Sequence, residues 1–311
     1  MHGCLIVSAQ AQEYADAVNN LPDVPIDLKV CTSVKESLAA YTDQTILFGS
    51  PDLIAEVLPH VPKVDWVQSS WAGVTPLIAA ERRDYVLTGI KDVFGPPISE
   101  YVFGYILARE LKILQRLQAQ QKKRWSSAGS GMLKGKRLGI MGTGSIGQHI
   151  AKIAKGFGMS VAGLSRSGAD CPNFDRVTRS RDLHSFLDGL DYLVSVLPQT
   201  TATDNLLDAT ALACLPAHAC IVNVGRGNVI DDAALVSALC DQRLGGAVLD
   251  VFDTEPLPQQ SPLWTTPNLL VTGHVAAMSH SSLIVPIFVD NYRRYSAGKP
   301  LKHSVDFAAG Y

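Results

Sequence analysis

The sequence predicts an α/β protein built on doubly wound parallel sheets, and three observations carry that prediction. Short apolar runs alternate with helix-like stretches along most of the chain. A glycine-rich turn, Gly142-Thr-Gly144-Ser145-Ile146-Gly147, joins a strand-like run to a helix-like run near the middle. The length of 311 residues suits two domains.

The first third reads as a smaller α/β domain in its own right. Its strands are Cys4–Val7, Asp27–Val30, Thr45–Phe48, Val64–Gln68 and Val86–Thr88, with helix-like stretches at Gln10–Asn19 and Val34–Tyr41. Gly95-Pro96-Pro97 breaks the pattern and marks a boundary. Ile98 to Lys123 then reads as one long helix, apolar and aromatic in its first half and rich in Gln and Lys in its second. Ser126–Gly135 is a Gly/Ser-rich loop. Leu138–Met141 and Met159–Leu164 read as strands around a helix from Ile146 to Gly156. Further strands are expected at Asp191–Val196, Ala219–Val224, Ala247–Asp250 and Leu269–Thr272, with helices between them. His280 to Gly298 has a helical tendency interrupted by Pro286.

Composition narrows the classes of function. Hydrophobic residues make up 47% and charged residues 18%, which describes a globular protein with sizeable cores. A formal net charge of −2 supplies no basic field for nucleic acid and no polybasic membrane segment. Cys4, Cys31, Cys171, Cys214, Cys220 and Cys240 lack metal-site or disulfide-framework spacing, so reduced, mostly buried thiols in a cytoplasmic protein are expected. Leu5-Ile-Val is too short for a signal sequence, and Val285–Val289 is too short to span a bilayer.

The glycine turn fits a dinucleotide fingerprint. Gly142 suits the tight turn, Gly144 lets the backbone approach a pyrophosphate, and Gly147 allows close helix–strand packing. The phosphates would sit on the unpaired N–H groups of the helix, at Ser145 and Ile146. After the second strand, where a carboxylate would bind the ribose of NAD, this chain has Ser165-Arg166-Ser167. A guanidinium between two hydroxyls is a phosphate-binding set, which points to NADP(H) in preference to NAD(H). The competing interpretation is a solvated loop arginine.

In open α/β sheets, ligands bind beyond the carboxyl ends of the strands. Three such ends carry complementary groups: Val224-Gly225-Arg226-Gly227, then Asp250 with Asp253 and Glu255 in the next loop, then Gly273-His274. An Arg binds a carboxylate in a fork, and a His exchanges a proton near neutral pH. A carboxylate partner orients that His. Together they suit hydride transfer at a 2-keto or 2-hydroxy acid. Taken singly, each is also compatible with an ordinary loop residue.

These segments resemble the D-isomer-specific 2-hydroxyacid dehydrogenases. The resemblance rests on Gly142–Gly147, Val222-Asn-Val-Gly-Arg226-Gly, Leu249-Asp250-Val-Phe-Asp-Thr-Glu255-Pro-Leu-Pro258 and Gly273-His274-Val-Ala-Ala277. It implies a Rossmann nucleotide domain, residues 98–278, inserted into a smaller flavodoxin-like substrate domain, residues 1–97 completed by 279–311. It also implies that Arg226 binds substrate, that Glu255 partners His274, and that His274 is the general acid/base. Asp250 would hold the nicotinamide carboxamide, with Leu197, Pro198 and Val224 lining the cofactor side. Trp71-Ala72-Gly73-Val74 resembles the family's carboxylate-binding loop, whose N–H groups would form an anion nest. Thr75 stands where the family often has Asp, and Trp71 is either a wall of the pocket or packing.

The expected activity is NADPH-dependent reduction of glyoxylate or hydroxypyruvate to the D-hydroxy acid, without a catalytic metal. The alternatives are a reductase of larger branched or aromatic 2-keto acids and a non-catalytic, nucleotide-sensing co-repressor-like protein. Glu255 separates the chain from formate dehydrogenases, which carry Gln there. The resemblance also implies a homodimer, with Ile98–Leu117 and the following Gly/Ser loop as contact candidates, although a helix buried within its own subunit fits the same pattern equally well.

Overall fold

The computed structural model describes residues 2–22 and 24–308. The chain divides into two compact units, Met1–Val93 with Ser279–Tyr311, and Phe94–Met278.

The first unit holds five parallel strands: β1 (His2–Val7), β2 (Ile26–Cys31), β3 (Ile46–Gly49), β4 (Trp66–Ser69) and β5 (Val86–Thr88). Their order, β2-β1-β3-β4-β5, is the flavodoxin-like doubly wound order. Helices α1 (Ala11–Asn19), α2 (Val34–Ala40), α3 (Pro51–Val57) and α4 (Thr75–Ala79) connect the strands. Ser33 caps α2 by accepting the Glu36 N–H.

A helix from the far end of the sequence, Ser281–Ser296, completes this unit. Its Phe288 stacks on Phe48 at 4.3 Å and on Trp66 at 5.4 Å, and Phe48 in turn stacks on Tyr14 at 5.1 Å. All four side chains are fully buried. Burial of such large aromatic faces favours the return of this segment. Asn291, also buried, donates to Gln68 Oε1 and to Lys302 O, so its polar group is satisfied inside the core. Pro286 lies within a continuous helix and does not interrupt it, contrary to expectation.

The second unit begins with α5 (Gly95–Glu110) and α6 (Ile113–Gln121). The single long helix expected over 98–123 is therefore two. Lys112 takes a left-handed φ of 54°, and Arg116 Nε donates to the Leu111 carbonyl at 2.8 Å. That side chain satisfies an acceptor at the break. Helix α5 is anchored on α7 (Ser145–Gly156), where Ser99 Oγ meets His149 Nδ1 at 2.8 Å.

Seven parallel strands follow: β6 (Arg137–Met141), β7 (Ser160–Ser165), β8 (Arg176–Arg179), β9 (Tyr192–Ser195), β10 (Cys220–Asn223), β11 (Gly246–Leu249) and β12 (Leu269–Val271). Their order is β12-β11-β10-β9-β6-β7-β8. The chain reverses its direction across the sheet between β6 and β9, which sets a topological switch point beside the glycine turn. The expected strands all form, within two residues at their ends; β8 had no counterpart in the sequence reading. Helices α8 (Leu183–Leu187), α9 (Ala209–Leu212) and α10 (Asp232–Cys240) complete the unit, and α9 and α10 are capped by Asp208 and Asp231. Leu193, Ile221 and Leu249 of the sheet are buried with Phe186, Leu212, Leu235 and Leu239 of these helices.

Three cysteines, Cys4, Cys31 and Cys220, are buried, and the other three are partly or fully exposed. No helix among the described residues is long and apolar enough to cross a membrane.

Candidate active site

The glycine turn closes tightly. Gly142 adopts a φ of +105°, and a Cβ at Gly147 would lie 2.0 Å from the Gly142 carbonyl oxygen. Gly144 differs: a Cβ there would meet no atom of the chain within 4 Å. Its small size therefore answers to nothing in the protein and fits the approach of a ligand. Helix α7 starts at Ser145 with no side-chain cap, so the first amides, at Ser145, Ile146 and Gly147, keep their donors for an anion. Leu197 and Pro198 follow β9 on the other side of the switch point, and the half-buried Leu197 packs against the domain core. Val224 follows β10 and is buried.

At the end of β7 the two serines are prepared as donors. Ser165 Oγ accepts the Gly168 N–H at 3.1 Å, and Ser167 Oγ accepts the Ala169 N–H at 3.2 Å. Each hydroxyl then has its own proton left to give. Arg166 between them is exposed. A second guanidinium joins from β8: Arg179 Nε donates to the Ser167 carbonyl at 3.0 Å. Sequence reasoning missed Arg179 because β8 is a short edge strand with polar ends, although two basic residues three apart were visible. Two cations and two hydroxyls at one turn fit a phosphate monoester.

Arg226 opens the segment after β10. Asn223 braces that turn, accepting the Gly225 N–H at 3.1 Å and donating to the Arg226 carbonyl at 2.9 Å. The guanidinium donates to the Gly225 carbonyl at 2.7 Å. Burial lowers its pKa from the usual arginine value, and the Glu255 charge opposes that shift. An arginine so placed stays cationic at neutral pH.

His274 and Glu255 form a direct pair, with His274 Nδ1 2.8 Å from Glu255 Oε2. The other carboxylate oxygen, Oε1, accepts the Phe252 N–H at 2.9 Å. A carboxylate only accepts, so Nδ1 carries the proton of this bond and Nε2 is the atom left for chemistry. The imidazole is half exposed, open to a ligand. His274 has a left-handed φ of 56°. A non-glycine residue held in that region is over-determined by its surroundings and recurs at functional sites.

Asp250 supplies that restraint. The side chain is buried, at 1% exposure, and accepts Thr272 Oγ1–H at 2.5 Å, Val275 N–H at 2.9 Å and Ala276 N–H at 2.8 Å. Its carbonyl accepts the His274 N–H at 2.7 Å. The sequence reading assigned Asp250 to the cofactor; in the structure its carboxylate is spent largely on the segment that carries His274.

In the first unit, the loop after β4 presents Trp71, Ala72, Gly73 and Val74. The Trp71 N–H is taken by Ser69 Oγ at 3.0 Å, which removes it from the expected anion nest. The N–H groups of Ala72, Gly73 and Val74 have no hydrogen-bond partner among the described residues. Trp71 itself is 39% exposed. Thr75 begins α4.

A parallel seven-stranded sheet with a glycine turn at its switch point, and an Arg, a Glu and a His at its strand ends, defines a dinucleotide-type α/β protein. The model of the D-isomer specific 2-hydroxyacid dehydrogenase NAD binding domain matches residues 103–276, and the chain belongs to that family. A glyoxylate/hydroxypyruvate reductase A of Salmonella newport is 34% identical over 174 residues, which span 56% of this chain and 56% of that relative. The chain thus matches little more than half the length of such curated relatives. A D-isomer specific 2-hydroxyacid dehydrogenase family protein from Aeromonas salmonicida superposes with a TM-score of 0.93 at 40% identity, covering 98% of this chain and 99% of the other. An NADPH-dependent glyoxylate/hydroxypyruvate reductase from Sinorhizobium meliloti, in complex with NADP and sulfate, gives a TM-score of 0.85 at 26% identity, with complete coverage of both chains.

Proposed function

We propose that the protein reduces a small 2-keto acid, glyoxylate or hydroxypyruvate, to the D-2-hydroxy acid with NADPH. The observation that carries this reading is the His274–Glu255 pair, with Nδ1 committed and Nε2 available. NADPH, when bound there, would supply the hydride for the carbonyl carbon. His274 gives its Nε2 proton to the carbonyl oxygen as the negative charge develops there. Glu255 holds the ring in register and balances the imidazolium charge before the transfer. Arg226 binds the substrate carboxylate and polarises the carbonyl from its half-buried position.

The residues suited to the cofactor are Gly144 with the amides of Ser145, Ile146 and Gly147 for the pyrophosphate, and Leu197, Pro198 and Val224 beside the nicotinamide end. We assign the 2′-phosphate to Ser165, Arg166 and Ser167, with Arg179 added. Asp250 keeps one acceptor direction for a carboxamide beside its three internal bonds. Within the first unit, we assign an anion-binding role to the amides of Ala72, Gly73 and Val74, and a limit on substrate bulk to Trp71. The reading is supported by relatives named as glyoxylate/hydroxypyruvate reductases, one of them NADPH-dependent and in complex with NADP.

Steady-state kinetics on glyoxylate, hydroxypyruvate and phenylpyruvate, with NADPH and NADH side by side, test it. A higher kcat/KM for phenylpyruvate sinks the substrate assignment. Equal use of NADH sinks the cofactor assignment, and absence of turnover with every 2-keto acid favours a sensing role.

We also propose a homodimer through α6 and the loop after it. Helix α6 buries none of its residues, and Leu111, Ile113, Leu114, Leu117, Trp125 and Met132 are all exposed, Trp125 at 98%. Clustered apolar surface of this kind marks an interaction site. Light scattering that returns a monomer mass at micromolar concentration rejects it.

A further inference from the structure

We propose that Tyr101 is a positioning residue for His274, acting through Thr272 and Asp250. The inference rests on His274 being the proton donor and adds a device that holds it in place.

Tyr101 lies on α5, 171 residues before the position it contacts. Its hydroxyl is 2.6 Å from Thr272 Oγ1, and Thr272 Oγ1 is 2.5 Å from Asp250 Oδ1. Proton bookkeeping fixes the direction of both bonds. Asp250 as a carboxylate can only accept, so the one proton of the Thr272 hydroxyl goes to it. Tyr101 must then be the donor to Thr272. Burial raises the Tyr101 phenol pKa, which keeps that donor proton in place across the working range. Tyr105 packs against the same ring, 4.7 Å between centroids.

The chain of bonds ends where the geometry is most demanding. Asp250 fixes residues on both sides of His274, taking Thr272 Oγ1–H before it and the Val275 and Ala276 amides after it. Its carbonyl takes the His274 amide itself. These bonds maintain the left-handed backbone at His274, which the residue would not adopt unaided. A threonine hydroxyl rotates among staggered positions and can bond elsewhere. The Tyr101 proton selects the one orientation that serves Asp250. Loss of the phenol hydroxyl leaves a Thr272 lone pair unmet and lets the Thr272 proton turn away from the carboxylate.

The test compares Tyr101→Phe, Thr272→Ser, Thr272→Val and the double variant Tyr101→Phe/Thr272→Val with the full-length protein. Measurements are kcat and KM for glyoxylate with NADPH, and amide hydrogen exchange at Val275 and Ala276. One neutral hydrogen bond corresponds to about 3–10-fold in rate. Tyr101→Phe is expected to lower kcat by about that factor with the KM for NADPH unchanged, and to speed exchange at both amides. Thr272→Ser keeps the hydroxyl and stays within about twofold of wild type in kcat. The double variant is expected to be no worse than Thr272→Val alone, because the Tyr101 effect passes through Thr272.

Unchanged kcat and unchanged exchange in Tyr101→Phe overturn the proposal. So do additive losses in the double variant, or a fall in Thr272→Ser as large as in Thr272→Val. His274→Ala separates this result from the reading beneath it. Turnover retained in that variant removes His274 as proton donor, while the exchange rates at Val275 and Ala276 still decide whether Tyr101 holds the segment.

Discussion

Glu255 divides its carboxylate between two donors: Oε2 meets His274 Nδ1 at 2.8 Å, and Oε1 takes the Phe252 amide at 2.9 Å. The carboxylate is anchored to its own loop before it orients the imidazole. Glu255→Gln has a single acceptor oxygen for those two donors, so one bond is lost. We expect kcat to fall about 100-fold, within the range of general acid–base contributions, with cofactor affinity retained. Turnover numbers at saturating substrate, beside a fluorescence titration with NADPH, check this.

Arg226→Lys keeps a positive charge but loses the planar pair of donors. The expected loss in kcat/KM for glyoxylate is about 100-fold, and Arg226→Ala loses more. Equal kcat/KM for Arg226→Lys and wild type removes the fork from the mechanism.

Arg166 and Arg179 are assigned to the 2′-phosphate, whose charge NADH lacks. Each alanine variant is expected to raise the KM for NADPH about tenfold, the equivalent of one charge-assisted bond, and to leave the KM for NADH within about twofold. Parallel losses with both cofactors place these arginines elsewhere.

Asp191 connects the start of β6 to the loop before β10. It accepts the Arg137 amide at 2.7 Å, meets His218 Nε2 at 3.0 Å and lies 3.3 Å from Lys136 Nζ. Burial pushes its pKa up, but the Arg137 amide and the Lys136 charge pull it further down, so it lies below the usual carboxylate value. A carboxyl depressed in the folded state stabilises the fold above its unfolded pKa, near 3.9, and that contribution disappears as the pH falls through the folded value. Asp191→Asn is therefore expected to cost about 1.5–3 kcal/mol at pH 7 and progressively less below about pH 4. Urea unfolding midpoints at the two pH values measure the difference, and a gap that widens in acid contradicts the assignment.

Phe288→Ala removes the ring between Phe48 and Trp66. The expected cost is about 3–5 kcal/mol, read as a fall in the melting temperature of the first unit. Phe288→Leu, which keeps most of the apolar volume, should recover much of that loss.

Much of this architecture was visible in the sequence for a physical reason. The buried strands are short apolar runs, and glycines mark where the backbone must turn or come close, as at Gly142 and Gly147. Arg226, Glu255 and His274 stood out because each follows a strand, where parallel sheets present ligands. Features set by tertiary contact were hidden. The break at Lys112 has neither Gly nor Pro to announce it, and Arg-Val-Thr-Arg of β8 has the polarity of a loop. Tyr101 and Thr272 carry no signature, because their meaning comes from a contact between distant positions. Asp250 stood out for its place at a strand end, but its bonds to residues 272–276 could not be read from that place.

The return of Ser281–Ser296 to the first sheet has a consequence for biosynthesis. The segment Phe94–Met278 is continuous and contains every strand of its own sheet, so it can fold while the ribosome is still at work. The strands His2–Val7 to Val86–Thr88 are made first, yet their stacking partner Phe288 emerges only after that segment is complete. The first unit is thus begun before the second and finished after it. Until then Phe48 and Trp66 lack the ring that covers them, so the hydrophobic face of the first sheet stays open while the second unit is made.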